Sequence, residues 1–400
     1  MGNIKYSKLD RNNESLFLLT FFIFIYVGVL KTSLLVPAHI SMSVIFFVFK
    51  LSGGCAFLTF LFRKNINILY KILMTLAVAV SYLLCIPAQN FDFFYYLIFV
   101  IAAFAISFRS ILKTYIISAF LGIFTVLFSC LLGIIPNETF ARQGLSIVRN
   151  SFGFFTPTDF AARFFFLLLA YYMLKKFHLS WKENMAIFIM IGVIYYLTNA
   201  RLDTCLLLLL LLCGLLAPYL ERIITALGTI GSFVISVLYI GGSVLLSVFY
   251  DESNKFLAAV NNLLSGRIKI GQQAFQEKGV TFFGQYFHEQ GNGLLPKGDF
   301  QYFYIDSSYI RLLVISGLLL SLIMLVAVYY LQKRFITENL FYYSVGFFIV
   351  IFSSAVDQHF MDPSYNFMFL ALFAELGFAT RNFSDIKNKD MRDRSLPYPY

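Results

Sequence analysis

Apolar residues along this chain gather in long blocks separated by short polar clusters. The blocks run roughly 17 to 25 residues, the length a helix needs to cross about 30 Å of hydrocarbon. A membrane β-barrel would instead alternate apolar and polar positions over short strands. Block centres fall near residues 26, 51, 78, 100, 123, 165, 191, 212, 236, 318, 348 and 372. The pattern predicts an all-α, polytopic integral membrane protein of about twelve transmembrane helices. It predicts a single membrane domain over residues 1–380 and a polar tail over 381–400.

Charge orients that layout. Lys and Arg cluster in the N-terminal tail, at Arg63-Lys64, Arg109 with Lys113, Lys175-Lys176 with Lys182, Arg222, Lys333-Arg334 and the C-terminal tail, always on one side of the count. By the positive-inside rule that side is cytoplasmic, with both termini on it. The connections near 37, 89, 136–155, 199–203, 250–306 and 357–363 then lie outside. The stretch 250–306 is the long one, a large extracytoplasmic loop, and connections of that length are usually functional or disordered. Within it, residues 254–274 carry Phe256, Val260, Leu263, Leu264 and Ile268 near helical spacing, which predicts one amphipathic helix lying along the interface.

Composition agrees. The 400 residues are 59% hydrophobic and 13% charged, whereas a water-exposed domain carries about a quarter charged residues. Cys55, Cys85, Cys130, Cys205 and Cys213 all lie in apolar blocks and read as small hydrophobes. The net charge of +10 is largely orientation signal, so nucleic acid is not an expected partner. Gly-rich phosphate loops, His-Glu-x-x-His and paired metal-ligand cysteines are all missing, and neither a metal nor a cofactor is expected.

Several cations nonetheless fall on the expected outer side, against the trend: Arg142, Arg149, Arg163, Arg201, Lys255, Arg267, Lys269, Lys278, Lys297 and Arg311. Arginine binds phosphate oxygens through a planar, permanently charged fork, whereas Lys and Arg at helix ends also snorkel to headgroups. Candidate chemistry accompanies them. His288 is the histidine of the large loop and a candidate general base. Asp357, His359 and Asp362 form a polar cluster at the last outer turn, where a carboxylate can orient an imidazole or simply make turn hydrogen bonds. Asp306 opens a helix, a capping position that also suits substrate contact.

Short motifs recur along this layout: Arg149 with Gly153-Phe154 before Pro157, Arg201 in a short turn, Ser265-Gly266-Arg267, Phe283-Gly284, and Asp306-Ser307-Ser308-Tyr309-Ile310 followed by Gly317. In layout and motifs the chain resembles the Wzy-type bacterial polysaccharide polymerases, a family related to the O-antigen ligases. Thr156-Pro157-Thr158 stands where a His-Pro-Asn type of tripeptide is expected, and Ala200 where Ser is common.

The resemblance implies a metal-independent glycosyltransferase of the bacterial cytoplasmic membrane, acting on undecaprenyl-diphosphate-linked glycan, with a flippase and a chain-length regulator as companions. Arg149, Arg201 and Arg267 are then expected to hold diphosphate and stabilise the leaving group. His288 or His359 would assist deprotonation of the acceptor, with Asp306, Arg311, Asp357 and His359 contacting substrate. A ligase would share this site, and a lipid-linked oligosaccharide flippase or anion carrier is the alternative from another class.

Overall fold

A computed structural model of the chain describes residues 8–64, 66–142, 145–291 and 303–377. Lys297 and the tail at 381–400 lie outside the described residues. The chain is mostly helical. In order the helices are α1 (Lys8–Lys31), α2 (Leu35–His39), α3 (Met42–Leu61), α4 (Ile68–Cys85), α5 (Asp92–Ala102) and α6 (Phe108–Leu131). After a hairpin come α7 (Pro157–Leu174), α8 (Trp181–Thr198), α9 (Arg201–Leu215), α10 (Ala217–Val248), α11 (Lys255–Leu263) and α12 (Arg267–Lys278). The last are α13 (Ser308–Arg311), α14 (Gly317–Thr337) and α15 (Phe341–Ser353).

Each of the first eleven apolar blocks therefore holds a helix. Among the described residues six helical stretches are long and apolar enough to cross a membrane: Asn12–Lys31, Met42–Leu61, Ile68–Cys85, Phe108–Leu131, Ala217–Val248 and Ser308–Thr337. Their ends are punctuated by local chemistry. Ser180 and Glu183 close a capping box on α8, and Ser41, Asn67 and Thr156 each accept a backbone N–H at the start of α3, α4 and α7. α10 bends at Gly228, whose φ of 60° is not helical.

Three features depart from the pattern read off the sequence. Thr139–Arg142 and Leu145–Asn150 pair as an antiparallel hairpin, so the fold is not wholly helical. The single amphipathic helix expected over 254–274 is two, α11 and α12, because Ser265 (φ 57°) and Gly266 (φ 85°) take left-handed backbone between them. The block near 372 forms no helix of spanning length. From His359 onward the chain runs as short 3-10 turns, His359–Met361 and Met368–Leu372, and Tyr365, Phe367, Met368, Leu370 and Ala371 are fully buried.

That last segment threads the bundle. It leaves the end where α7 begins and reaches the turn between α5 and α6, where Glu375 N–H donates to Ile106 O (2.7 Å) and Phe108 N–H to Glu375 O (2.8 Å). Its backbone lacks a helical ladder, so neighbours supply partners. Tyr115 Oη donates to Tyr365 O (2.8 Å). Asn366 Nδ2 donates to Phe360 O (2.8 Å), and its Oδ1 accepts from Met368 N–H (3.0 Å). α1, α6 and α7 pack around this segment, and α1 comes close enough that a Cβ at Gly28 would sit 2.4 Å from Ser364 Cβ.

The large loop is clamped to the start of α14. Leu312–Ser316 forms a π turn, and Gly317 (φ 91°) restarts the helix. The amides freed there find the loop: Leu318 and Leu319 N–H donate to Thr281 and Phe282 O (2.9 and 3.0 Å), and Gln285 N–H to Ile315 O (2.8 Å). Gly284 and Gly317 make this possible, because a Cβ on Gly317 would lie 2.2 Å from Gly284 N.

Candidate functional site

Three helix starts converge on a cleft of about 360 Å³ of open space, lined by Asp159, Asp203, Arg267, Asp306, Asp357, Gln358 and His359 among others. Each charged side chain arrives for a local reason. Asp159 is the third residue of α7, where Thr156 Oγ1 accepts its N–H (3.1 Å) and donates to its Oδ2 (2.8 Å). Asp203 lies in the first turn of α9, and Asp306 stands just before α13. Carboxylates are favoured at these positions by the helix dipole, so convergence of the helix starts brings the acids together. Arg267 opens α12 directly after the left-handed Ser265-Gly266 turn.

The cleft holds one ion pair and one carboxylate–imidazole pair. Arg267 Nε lies 3.3 Å from Asp306 Oδ2, both largely buried. His359 Nε2 lies 3.1 Å from Asp357 Oδ1, and the imidazole is 5% exposed. Burial pushes the Asp357 carboxyl well above the ordinary range, with Asp203 adding to the rise and Arg267 opposing it. Burial also raises Asp306 against the pull of Arg267 and Arg311. His359 is pushed down to about 3, again chiefly by burial, so it is a neutral imidazole held against an acid.

The remaining sequence candidates separate. Arg149 sits on the hairpin, where its Nε donates to Thr198 O (3.1 Å), close enough to Asp203 to attract it electrostatically. Arg201 is exposed at the start of α9 and does not line the cleft. His288 is likewise exposed and outside the cleft, its Nε2 lying 3.3 Å from Gln290 Nε2. Arg311 faces a neighbouring cavity with Asp92, Asn90 and Phe93, and its Nη1 donates to Glu289 Oε1 (2.5 Å) and Ile305 O (3.1 Å). Gln358 lines both cavities.

Asp159 and Asp203 join the site without having been picked out from the sequence. Only their place in the first turn of a helix marked them, and that position is ordinary for a capping acid. Arg163 was one cation among ten, yet among those whose side chains are described it is the fully buried one (1% exposed). Its guanidinium lies 3.4 Å over the Tyr365 ring, and Tyr365 stacks on His359 at 3.5 Å.

The fold and cleft together define a multi-pass helical membrane protein with a buried site of one arginine, four aspartates and a neutral histidine. The chain matches no family model, no curated protein and no solved structure.

Proposed function

We propose that this protein polymerises undecaprenyl-diphosphate-linked oligosaccharide repeat units into a cell-surface polysaccharide on the outer face of the bacterial cytoplasmic membrane. The observation that carries the proposal is Arg267 facing the Asp357–His359 pair across one cleft. In this reading Arg267 holds the donor diphosphate and stabilises its charge as it departs. His359, kept neutral, accepts the proton of an acceptor sugar hydroxyl, and Asp357 orients the imidazole through its 3.1 Å contact with Nε2. Asp159, Asp203 and Gln358 supply acceptors and donors of the kind sugar hydroxyls use. Arg149 adds positive potential at the rim, and Arg311 contacts substrate from the adjoining cavity.

The same reading takes the chain through the membrane about twelve times, with the buried segment 364–375 as the last crossing and both termini cytoplasmic. Irregular backbone at membrane depth is tolerated where protein surrounds it, which fits the full burial of Phe367–Ala371. A flippase and a chain-length regulator are the expected companions.

Deleting the gene and sizing both surface glycan and extracted carrier lipid tests the proposal. Single repeat units exposed outside, with the ladder lost, is the expected result. Long chains left on the carrier would assign a ligase instead, units trapped inside a flippase, and an unchanged ladder would remove glycan assembly altogether.

A further inference from the structure

His359 touches a second charged group indirectly. The Tyr365 ring has the Arg163 guanidinium 3.4 Å from its centroid and the His359 ring 3.5 Å from it, with the two rings within 9° of parallel. Two groups that close to one centroid must lie on opposite faces. Phe166 stands nearly perpendicular to both His359 (6.1 Å, 80°) and Tyr365 (5.7 Å, 72°).

Arg163 is anchored from three directions. Nη1 donates to Ser364 O (2.8 Å) and Ser364 Oγ (3.2 Å), and Nη2 donates to Gly28 O (2.8 Å) and Thr32 Oγ1 (3.2 Å). These bonds tie α7 to α1 and to the segment that carries His359. The guanidinium makes no direct ion pair among the described residues; its closest charge-directed contact is the Tyr365 ring, and it also acts at longer range on Asp159 and Asp362.

We propose that Arg163 is a positioning residue that acts through Tyr365 to fix the His359 ring with Nε2 turned to Asp357 and to oppose a second positive charge on that stack. A cation over one face of an aromatic ring draws on the same quadrupole that a second cation on the other face would need. Arginine stays charged at any working pH, so the histidine is the member that stays neutral. The other charges facing His359 divide. Asp357 and Asp362 on its own segment, with Asp159, Asp203 and Asp306 in the cleft, favour the protonated ring. Arg163 on α7, Arg311 on α13, Arg267 on α12 and burial itself oppose it. The catalytic consequence rests on the proposed function, because a neutral imidazole is what a general base requires, but the stack itself does not.

The test uses full-length protein in lipid nanodiscs with nitrogen-labelled histidine. The chain has four histidines, and His359→Gln identifies the resonance in question. Tyr365→Phe keeps both stacking faces and is expected to preserve the wild-type tautomer and titration. Tyr365→Leu and Arg163→Gln, lying on different elements, are each expected to raise the His359 titration midpoint by about one pH unit or more and to populate the second tautomer. An unchanged midpoint and tautomer in either folded variant would overturn the proposal. If cells carrying His359→Gln still make full-length glycan, the polymerase reading fails while the nuclear magnetic resonance result for the stack stands on its own.

Discussion

Burial, more than any neighbouring charge, sets the protonation of His359. Its folded value of about 3 lies below the ordinary histidine range, so unfolding takes up a proton below pH of about 6.5. This contribution to stability is complete above that value and is lost as the pH falls toward 3, at up to about 1.4 kcal/mol per unit. Thermal melts of wild type and His359→Gln from pH 7 to pH 4 should therefore converge or cross as acid is added. Parallel curves would mean that the imidazole is not buried neutral. Asp357 behaves in the opposite sense. Its raised value makes ionisation a cost that builds as the pH rises from the ordinary carboxylate value of about 4 and is complete once the raised folded value is passed, so Asp357→Asn should melt higher than wild type at pH 7 and lose that advantage at low pH. Of these residues the sequence marked Arg267, Asp306, Asp357 and His359 as candidates, but it gave equal standing to Arg201 and His288. What separates them is burial, set by which helix starts converge, and no local pattern encodes it.

Two glycines and one asparagine carry the joints between helices. Gly317→Ala would drive a Cβ to 2.2 Å from Gly284 N, at a φ that alanine adopts poorly, and should cost at least about 3 kcal/mol or unfold the loop clamp. Hydrogen exchange would show it as lost protection at Gln285, Leu318 and Leu319. Asn366→Ala strips both Phe360 O and Met368 N–H of their partner. Two buried backbone groups left unpaired make a loss of roughly 3 kcal/mol the expected result in denaturation. The helices themselves were legible, because apolar runs of spanning length leave the chain few alternatives. The joints were not. Ser265-Gly266 lies inside a helical apolar pattern, and its left-handed turn breaks what periodicity joined. The segment after His359 is apolar enough to read as a helix, yet it folds as 3-10 turns whose polar groups are met by its own Asn366 and by Tyr96 and Tyr115 from elsewhere in the bundle.

The molecule as a whole gathers polar chemistry at one end of an apolar bundle. α7, α9 and α12 each deliver a charged side chain from the first turn, α13 adds the Asp306 just before it, and the segment threading the core supplies Asp357 and His359. The same segment stacks on Arg163, so the cleft and the deep core form one packed unit. In the proposed function this cleft, and not the exposed cations around it, carries out glycan transfer. That assignment is tested most directly by restoring a deletion strain with Arg267→Ala, His359→Gln, Arg201→Ala or His288→Gln and sizing the glycan still attached to carrier lipid and displayed at the surface. Single repeat units are expected from the first two variants and a near-normal ladder from the last two. A full ladder from Arg267→Ala and His359→Gln, at wild-type protein levels, would contradict it.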